Sequence, residues 1–289
     1  MIIEKNFKIG AMLGRLSDKY DQPLQSFPLN TWEEEFSNAA DIGFDCLEWV
    51  EDGFSDSHNP FFTTNGREEI IKLQEIHRVE VDSICAHSFI SGGLSSNDEK
   101  LRDESIKKLQ LIINHSNDLS ISRIIIPLME GASLNSKNEL ELFKDSINKI
   151  FFPNLNLKIL LETDLDAENC LDFFRNFNEK NIGIVFDLGN ASQLNYDLYK
   201  DISDLHHLIG EIHIKDKDLS QSTRLGEGNT NFINGFRALR DCKWHGDFIL
   251  ETPIFSNWEE EARHNFSFAK KLVDSFKNTK NTKNTKKTL

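Results

Sequence analysis

The chain has 289 residues and a formal net charge of −14, and 38% of its residues are apolar, including 22 phenylalanines. This composition supplies enough apolar side chains for one sizeable hydrophobic core. The strong negative charge disfavours a broad nucleic-acid-binding surface, because it repels phosphate backbones, and no apolar run is long enough to span a membrane.

Eight short apolar runs, rich in β-branched residues, recur along the chain and predict β-strands. Most of them are continuous rather than alternating, which is typical of strands that are buried on both faces of a parallel sheet. The predicted strands cover residues 8–13, 46–50, 81–87, 123–129, 158–163, 182–188, 209–215 and 247–252.

A segment with helical periodicity follows each predicted strand. The first of these helices begins at Thr31, has glutamates in its first turn and ends near Gly43. Strict alternation of eight strands and eight helices predicts a single α/β domain, a (β/α)₈ TIM barrel over residues 1–276, in preference to a doubly wound open sheet. The predicted helices cover residues 31–44, 67–78, 98–119, 139–152, 167–177, 197–208, 232–242 and 257–276.

The remaining segment and the cysteines predict less specific features. Residues 277–289 repeat lysine, asparagine and threonine without an apolar anchor, so we expect a disordered basic tail. The four cysteines are widely separated and form no C-x-x-C pair, which predicts reduced, buried thiols. Together with an N-terminus that lacks a signal-peptide pattern, this predicts a cytoplasmic protein.

Ionisable residues end the last four predicted strands, namely Glu162, Asp187, His213 and Glu251. Each follows apolar strand residues, where an unpaired charge is costly, although a structural salt bridge would explain any one of them alone. The C-terminal strand ends of such a barrel surround one site, with neighbouring strands about 5 Å apart, so three carboxylates would repel one another unless a cation neutralised them. The set predicts one divalent metal ion, with Mn²⁺, Mg²⁺ or Co²⁺ favoured and Zn²⁺ also compatible.

This order of Glu, Asp, His and Glu on strands five to eight resembles the metal signature of xylose-isomerase-like sugar isomerases and epimerases. The resemblance extends to HIKD at 213–216 and RLGEGNTNF at 224–232. That superfamily includes ketose 3-epimerases, hydroxypyruvate isomerase and inosose dehydratases. The resemblance implies that the metal chelates a carbonyl and an adjacent hydroxyl of a sugar or sugar phosphate, and that Glu162 and Glu251 transfer protons as general base and acid. The alternative is that both glutamates are only ligands.

Four further residues are predicted to contact the substrate, each with a structural alternative. His87 ends the third predicted strand and would bind the substrate or serve a structural role. Glu48 ends the second; in similar proteins such an acidic residue fixes ligands or substrate hydroxyls, and the alternative is a salt bridge in the barrel wall. Lys215 and Arg224 are cations near the predicted rim, suited to a phosphate or carboxylate or to an ion pair within a loop.

Three other functions compete with a sugar isomerase or epimerase. A metal-dependent apurinic-site endonuclease of similar fold needs extra histidines, but Asn190 stands at one of those places. A dehydratase acting on an inosose-like or keto-sugar substrate needs nearly the same residues as an isomerase. A non-catalytic barrel would retain the site for binding alone.

Long segments after the first two strands are compatible with a lid or a homo-oligomer interface.

Overall fold

The computed structural model describes residues 7–18, 25–54, 56–153, 156–175, 181–218 and 221–277. Eight parallel strands close into a barrel in which each strand pairs with its neighbours in chain order and the first pairs with the last. This confirms the predicted (β/α)₈ TIM barrel. The barrel strands are β1 (Ile9–Met12), β2 (Cys46–Glu51), β3 (Glu80–Ala86), β4 (Arg123–Leu128), β5 (Lys158–Thr163), β6 (Ile182–Asp187), β7 (Ile209–Ile214) and β8 (Asp247–Leu250).

Helices lie between consecutive strands and after the last one, at the places that the periodicity predicts. In the first, three glutamates occupy the N-terminal turn, and Gly43 adopts a left-handed conformation at the C-terminus, with φ of 110°. The α-helices among the described residues are α1 (Trp32–Ile42), α2 (Thr64–His77), α3 (Glu99–Asp118), α4 (Lys137–Asn148), α5 (Ala167–Arg175), α6 (Leu188–Gln193), α7 (Leu198–Leu205), α8 (Phe232–Asp241) and α9 (Trp258–Lys277).

Several short elements near the C-terminal ends of the strands were not predicted. The short helix α6 begins directly after β6, where the side chain of Asp187 accepts hydrogen bonds from the first turn. Its six residues, LGNASQ, make fewer than two helical turns and include the weak helix formers Gly, Asn and Ser, so the sequence shows no helical periodicity there. A small antiparallel hairpin, Asp216–Asp218 with Gln221–Thr223, follows β7. The third strand also ends one residue earlier than predicted, and His87 begins a 3₁₀-helix, His87–Ser91.

The strands alternate between a helix-facing side and the barrel interior. On β4, Ile124 and Ile126 belong to the main core under the helices, whereas Ile125 forms a separate buried cluster with Leu160 of β5 and Val185 of β6. Successive side chains of a strand point to opposite faces, so these three residues fill the inside of the barrel. Residues two positions further along β5 and β6 therefore point into its C-terminal mouth, and these are Glu162 and Asp187.

The structure also bears on the remaining sequence predictions. The four cysteines form no disulfide; Cys46, Cys85 and Cys170 are buried, and Cys242 is partly exposed. Helix α9 ends at Lys277, the first residue of the predicted tail, and residues 278–289 lie outside the described residues. Within the described segments, no helix combines the length and the apolar character that a bilayer crossing requires.

Candidate metal centre

The four residues predicted as ligands meet at the C-terminal mouth of the barrel. Glu162, Asp187 and His213 lie on β5, β6 and β7, and Glu251 directly follows β8. One ligand atom from each lies within 4.8 Å of the others, and all four residues are buried. The register explains the convergence, because His213 pairs with Asp187 on one side and with Ile249, two residues before Glu251, on the other.

This donor set fits a divalent metal ion. The Oδ1 atom of Asp187 accepts hydrogen bonds of 2.8 and 2.9 Å from the backbone of α6, and its buried Oδ2 atom lies 3.1 Å from the ammonium of Lys215. The described partner of this oxygen is itself a cation, so the oxygen suits a metal ion as well as an ammonium. Three carboxylates and one imidazole are donors that Mn²⁺, Mg²⁺, Co²⁺ and Zn²⁺ accept.

A second group of buried charges lies against the other side of the His213 ring. Its Nδ1 atom is 3.3 Å from Glu251, while its Nε2 atom is 3.3 Å from Glu48 and 3.4 Å from Glu211. Glu48 and Glu211 are fully buried. Carboxylates beside the far nitrogen of a metal-binding histidine fix the orientation of its ring. The Glu48 carboxylate therefore lies where it can orient the ring of His213, one of the four candidate metal ligands.

The charges of these two glutamates are set by different neighbours. Burial raises the pKa of Glu48 to about 7. Burial also opposes ionisation of Glu211, but the guanidinium of Arg123, with Nε 2.6 Å from the carboxylate, lowers its pKa to about 2. Arg123 further contacts Asp247 at 2.9 Å, so one arginine at the start of β4 joins β7 and β8 across the barrel.

The two glutamates predicted to transfer protons have contrasting partners. Glu162 accepts one hydrogen bond of 2.9 Å from the Asn190 amide, and burial raises its pKa to about 7. Glu251 is equally buried, but Lys215 at 2.6 Å and then His213 hold its pKa well below its usual range. It also accepts a hydrogen bond of 2.5 Å from Gln25. Similar carboxylates in one cluster therefore differ in how readily they hold a proton.

Of the predicted substrate residues, Lys215 lies within the cluster and Arg224 makes its described contacts elsewhere. The Lys215 ammonium contacts Asp187 as well as Glu251. Arg224 pairs with Glu260 and Glu261 of α9, at 3.6 and 3.1 Å, so it joins a loop to a helix. His87 is partly exposed, and burial lowers its pKa.

The glycine-rich segment near Arg224 wraps around an aspartate. Asp216 accepts backbone hydrogen bonds from Gly226 at 2.8 Å, Gly228 at 2.9 Å and Thr230 at 3.0 Å. A Cβ atom at residue 228 would lie 2.4 Å from the Asp216 carboxylate, which explains the second glycine. The described contacts of this Gly-x-Gly pattern therefore shape the loop after β7.

Several residues in contact with the cluster were not predicted from the sequence. Gln25 lies in the loop after β1 and bridges Arg15, at 2.5 Å, to Glu251, and no local sequence pattern indicates this contact. Glu211 had a detectable signal, because the alternation in EIHI places it on the same strand face as His213. Arg123 had none, since a charged residue that opens a strand usually lies at the surface.

Comparison with known proteins agrees with this architecture. The family described as xylose isomerase-like TIM barrel matches residues 36–272. An uncharacterized protein of Methanocaldococcus jannaschii is 22% identical over 230 residues, which cover 73% of this chain and 76% of that protein.

Solved structures show the same fold over nearly the whole chain. L-ribulose 3-epimerase has a TM-score of 0.75 at 17% identity, covering 94% of this chain and 96% of that chain. D-allulose 3-epimerase from Methylomonas sp. has a TM-score of 0.75 at 15% identity, covering 94% and 100%. The family match spans most of the chain and confirms the resemblance seen at the strand ends: the chain belongs to the xylose isomerase-like TIM barrel family.

Proposed function

We propose that the protein is a divalent-metal-dependent isomerase or epimerase of a sugar, and that Glu162 and Glu251 transfer the protons. The observation that carries this proposal is that both glutamates belong to one buried cluster with Asp187 and His213. The two structural neighbours are named as 3-epimerases of ribulose and allulose, which supports a ketose as substrate.

Glu162, Asp187, His213 and Glu251 would hold the metal ion, with Mn²⁺, Mg²⁺ or Co²⁺ favoured by the oxygen-rich donor set. A divalent ion bound there supplies Lewis acidity, which polarises a chelated carbonyl and acidifies the adjacent C–H bond. Glu48 and Glu211 hold the His213 ring in place from its far side.

The proposed proton transfer depends on the positions of Glu162 and Glu251 in the barrel. Strands β5 and β8 are separated by two strands in the barrel, so the carboxylates of Glu162 and Glu251 approach the site from different sides. When one removes a proton and the other returns one to the opposite face, the carbon is inverted. When the proton returns to the neighbouring carbon, a ketose and an aldose interconvert. Each glutamate serves as base in one direction and as acid in the other.

The contacts of two predicted substrate cations favour a sugar without a phosphate group. Lys215 is paired with Asp187 and Glu251, and Arg224 with Glu260 and Glu261. Carboxylates therefore already engage these two cations. The cytoplasmic location and a homo-oligomeric state stay predictions.

The test is a screen of ketoses and ketose phosphates in D₂O with the metal-reconstituted protein. We expect deuterium at one carbon and a new epimer or aldose, detected by NMR and mass spectrometry. Glu162→Gln and Glu251→Gln should lower the rate of product formation by about 10²–10⁴-fold. Glu168→Gln, on the exposed surface of α5, is the matched control and should retain the wild-type rate.

Other outcomes of the screen separate the competing functions. A product that has lost water identifies a dehydratase. An absence of both exchange and product with every sugar, from protein that carries its metal, contradicts the proposal and leaves a binding function.

A further inference from the structure

Lys215 places a positive charge inside the candidate metal centre. It follows β7 directly, two residues after His213, and only 8% of its side chain is exposed. Its ammonium lies 2.6 Å from Glu251 Oε1 and 3.1 Å from Asp187 Oδ2. One permanent cation therefore contacts two of the four candidate ligands.

This contact has a clear role when no metal is bound. Glu162, Asp187 and Glu251 bring three carboxylates into a site with almost no solvent exposure. Buried charges of one sign are strongly destabilising unless an opposite charge lies beside them. Lys215 supplies that charge, so it stabilises the ligand set in the metal-free protein.

The same contact opposes metal binding. A divalent ion held by Asp187 and Glu251 would lie close to the ammonium, and like charges in a buried site repel strongly because little water screens them. We propose that Lys215 is an internal counterion that competes with the divalent metal ion for Asp187 and Glu251. It holds the ligands together before metal binds and weakens the affinity for metal. This inference rests on the metal site of the proposed function.

The chain offers a matched control two residues further on. Lys217 has the same charge and lies on the same segment, but its ammonium donates to Gln193 at 2.6 Å. Replacing Lys217 removes a positive charge from the neighbourhood without removing the contact to the ligands. Any difference in metal affinity or stability between the Lys215 and Lys217 variants therefore comes from the contact of Lys215 with the candidate ligands and not from the change in net charge.

The experiment is a calorimetric titration of Mn²⁺ into chelator-treated protein, together with thermal unfolding of the same samples without metal. The proteins are wild type, Lys215→Met, Lys215→Gln and Lys217→Met. We expect both Lys215 variants to bind Mn²⁺ at least about tenfold more tightly than wild type and to unfold at lower temperature without metal. Lys217→Met should match wild type in both measurements. A Lys215 variant that unfolds without metal and refolds on addition of Mn²⁺ also supports the inference, because the metal then replaces the missing charge.

The failure of this inference is distinguishable from that of the proposed function. If wild type binds Mn²⁺ and the Lys215 variants bind it equally or more weakly, the counterion role is wrong and the metal site stands. If only the Lys215 variants bind Mn²⁺, the lysine fills the site, which supports the inference and contradicts a metal-loaded enzyme. If none of the four proteins binds, both are overturned.

Discussion

Removal of the Arg123 side chain should strongly destabilise the barrel. Its guanidinium contacts Glu211 at 2.6 Å and Asp247 at 2.9 Å, and Glu211 is fully buried. Arg123→Met removes the guanidinium from both carboxylates. Breaking a buried pair by removing one partner costs about 3–5 kcal/mol of unfolding free energy, and we expect a loss in that range. Urea unfolding followed by circular dichroism measures it.

A control and a pH dependence make this prediction specific. Arg263 pairs with Glu259 at 2.8 Å, but about half of each side chain is exposed, so Arg263→Met should cost less than about 1 kcal/mol. In wild type, Arg123 keeps the pKa of Glu211 at about 2 despite burial. A lowered pKa contributes stability that is complete above the unfolded value, about 4.3, and is lost as pH falls through the folded value. Arg123→Met removes the main cation behind this contribution, so its deficit in unfolding free energy should be larger at about pH 7 than at about pH 3. A deficit below about 1 kcal/mol at both pH values would refute the reasoning.

Two further predictions concern carboxylates of the site. Glu48→Gln should weaken Mn²⁺ binding by about 10–100-fold, because Glu48 lies 3.3 Å from the far nitrogen of His213 and orients its ring; a calorimetric affinity equal to that of wild type would contradict this role. Burial raises the pKa to about 7 in the metal-free protein for Glu48 and Glu162 of the site, and also for Glu35, a buried residue of α1. A raised pKa contributes stability that is complete below the unfolded value and is lost as pH rises through the folded value, so stability should fall from about pH 5 to pH 8. In thermal unfolding experiments across this pH range, Glu162→Gln should lose less stability than wild type. An equal loss of stability in the two proteins would contradict this prediction.

The sequence was sufficient to predict the barrel and the four strand-end residues. Continuous apolar runs predict strands buried on both faces, and all eight runs form strands with ends shifted by at most two residues. Glu162, Asp187, His213 and Glu251 were detectable because a charge that ends an apolar strand needs a compensating partner.

Contacts that join distant elements were not predictable in the same way. Arg123 and Glu211 lie on β4 and β7, which are not neighbours in the barrel, so neither periodicity nor spacing connects them. Gln25 reaches Glu251 from a loop whose path depends on tertiary packing. Helix α6 escaped prediction because its stability depends on the Asp187 cap and not on the helix propensity of its own residues.

The proposed function depends on a divalent metal ion held by the four strand-end residues, and a metal analysis of the purified protein tests for that ion. Protein purified without chelator is measured by mass spectrometry of its metals, alongside Glu162→Gln and His213→Ala. We expect about one divalent ion per chain in wild type and a loss of that ion in both variants. A wild-type protein that binds no ion, even after metal is added back, would contradict the proposed metal site and leave only the barrel fold.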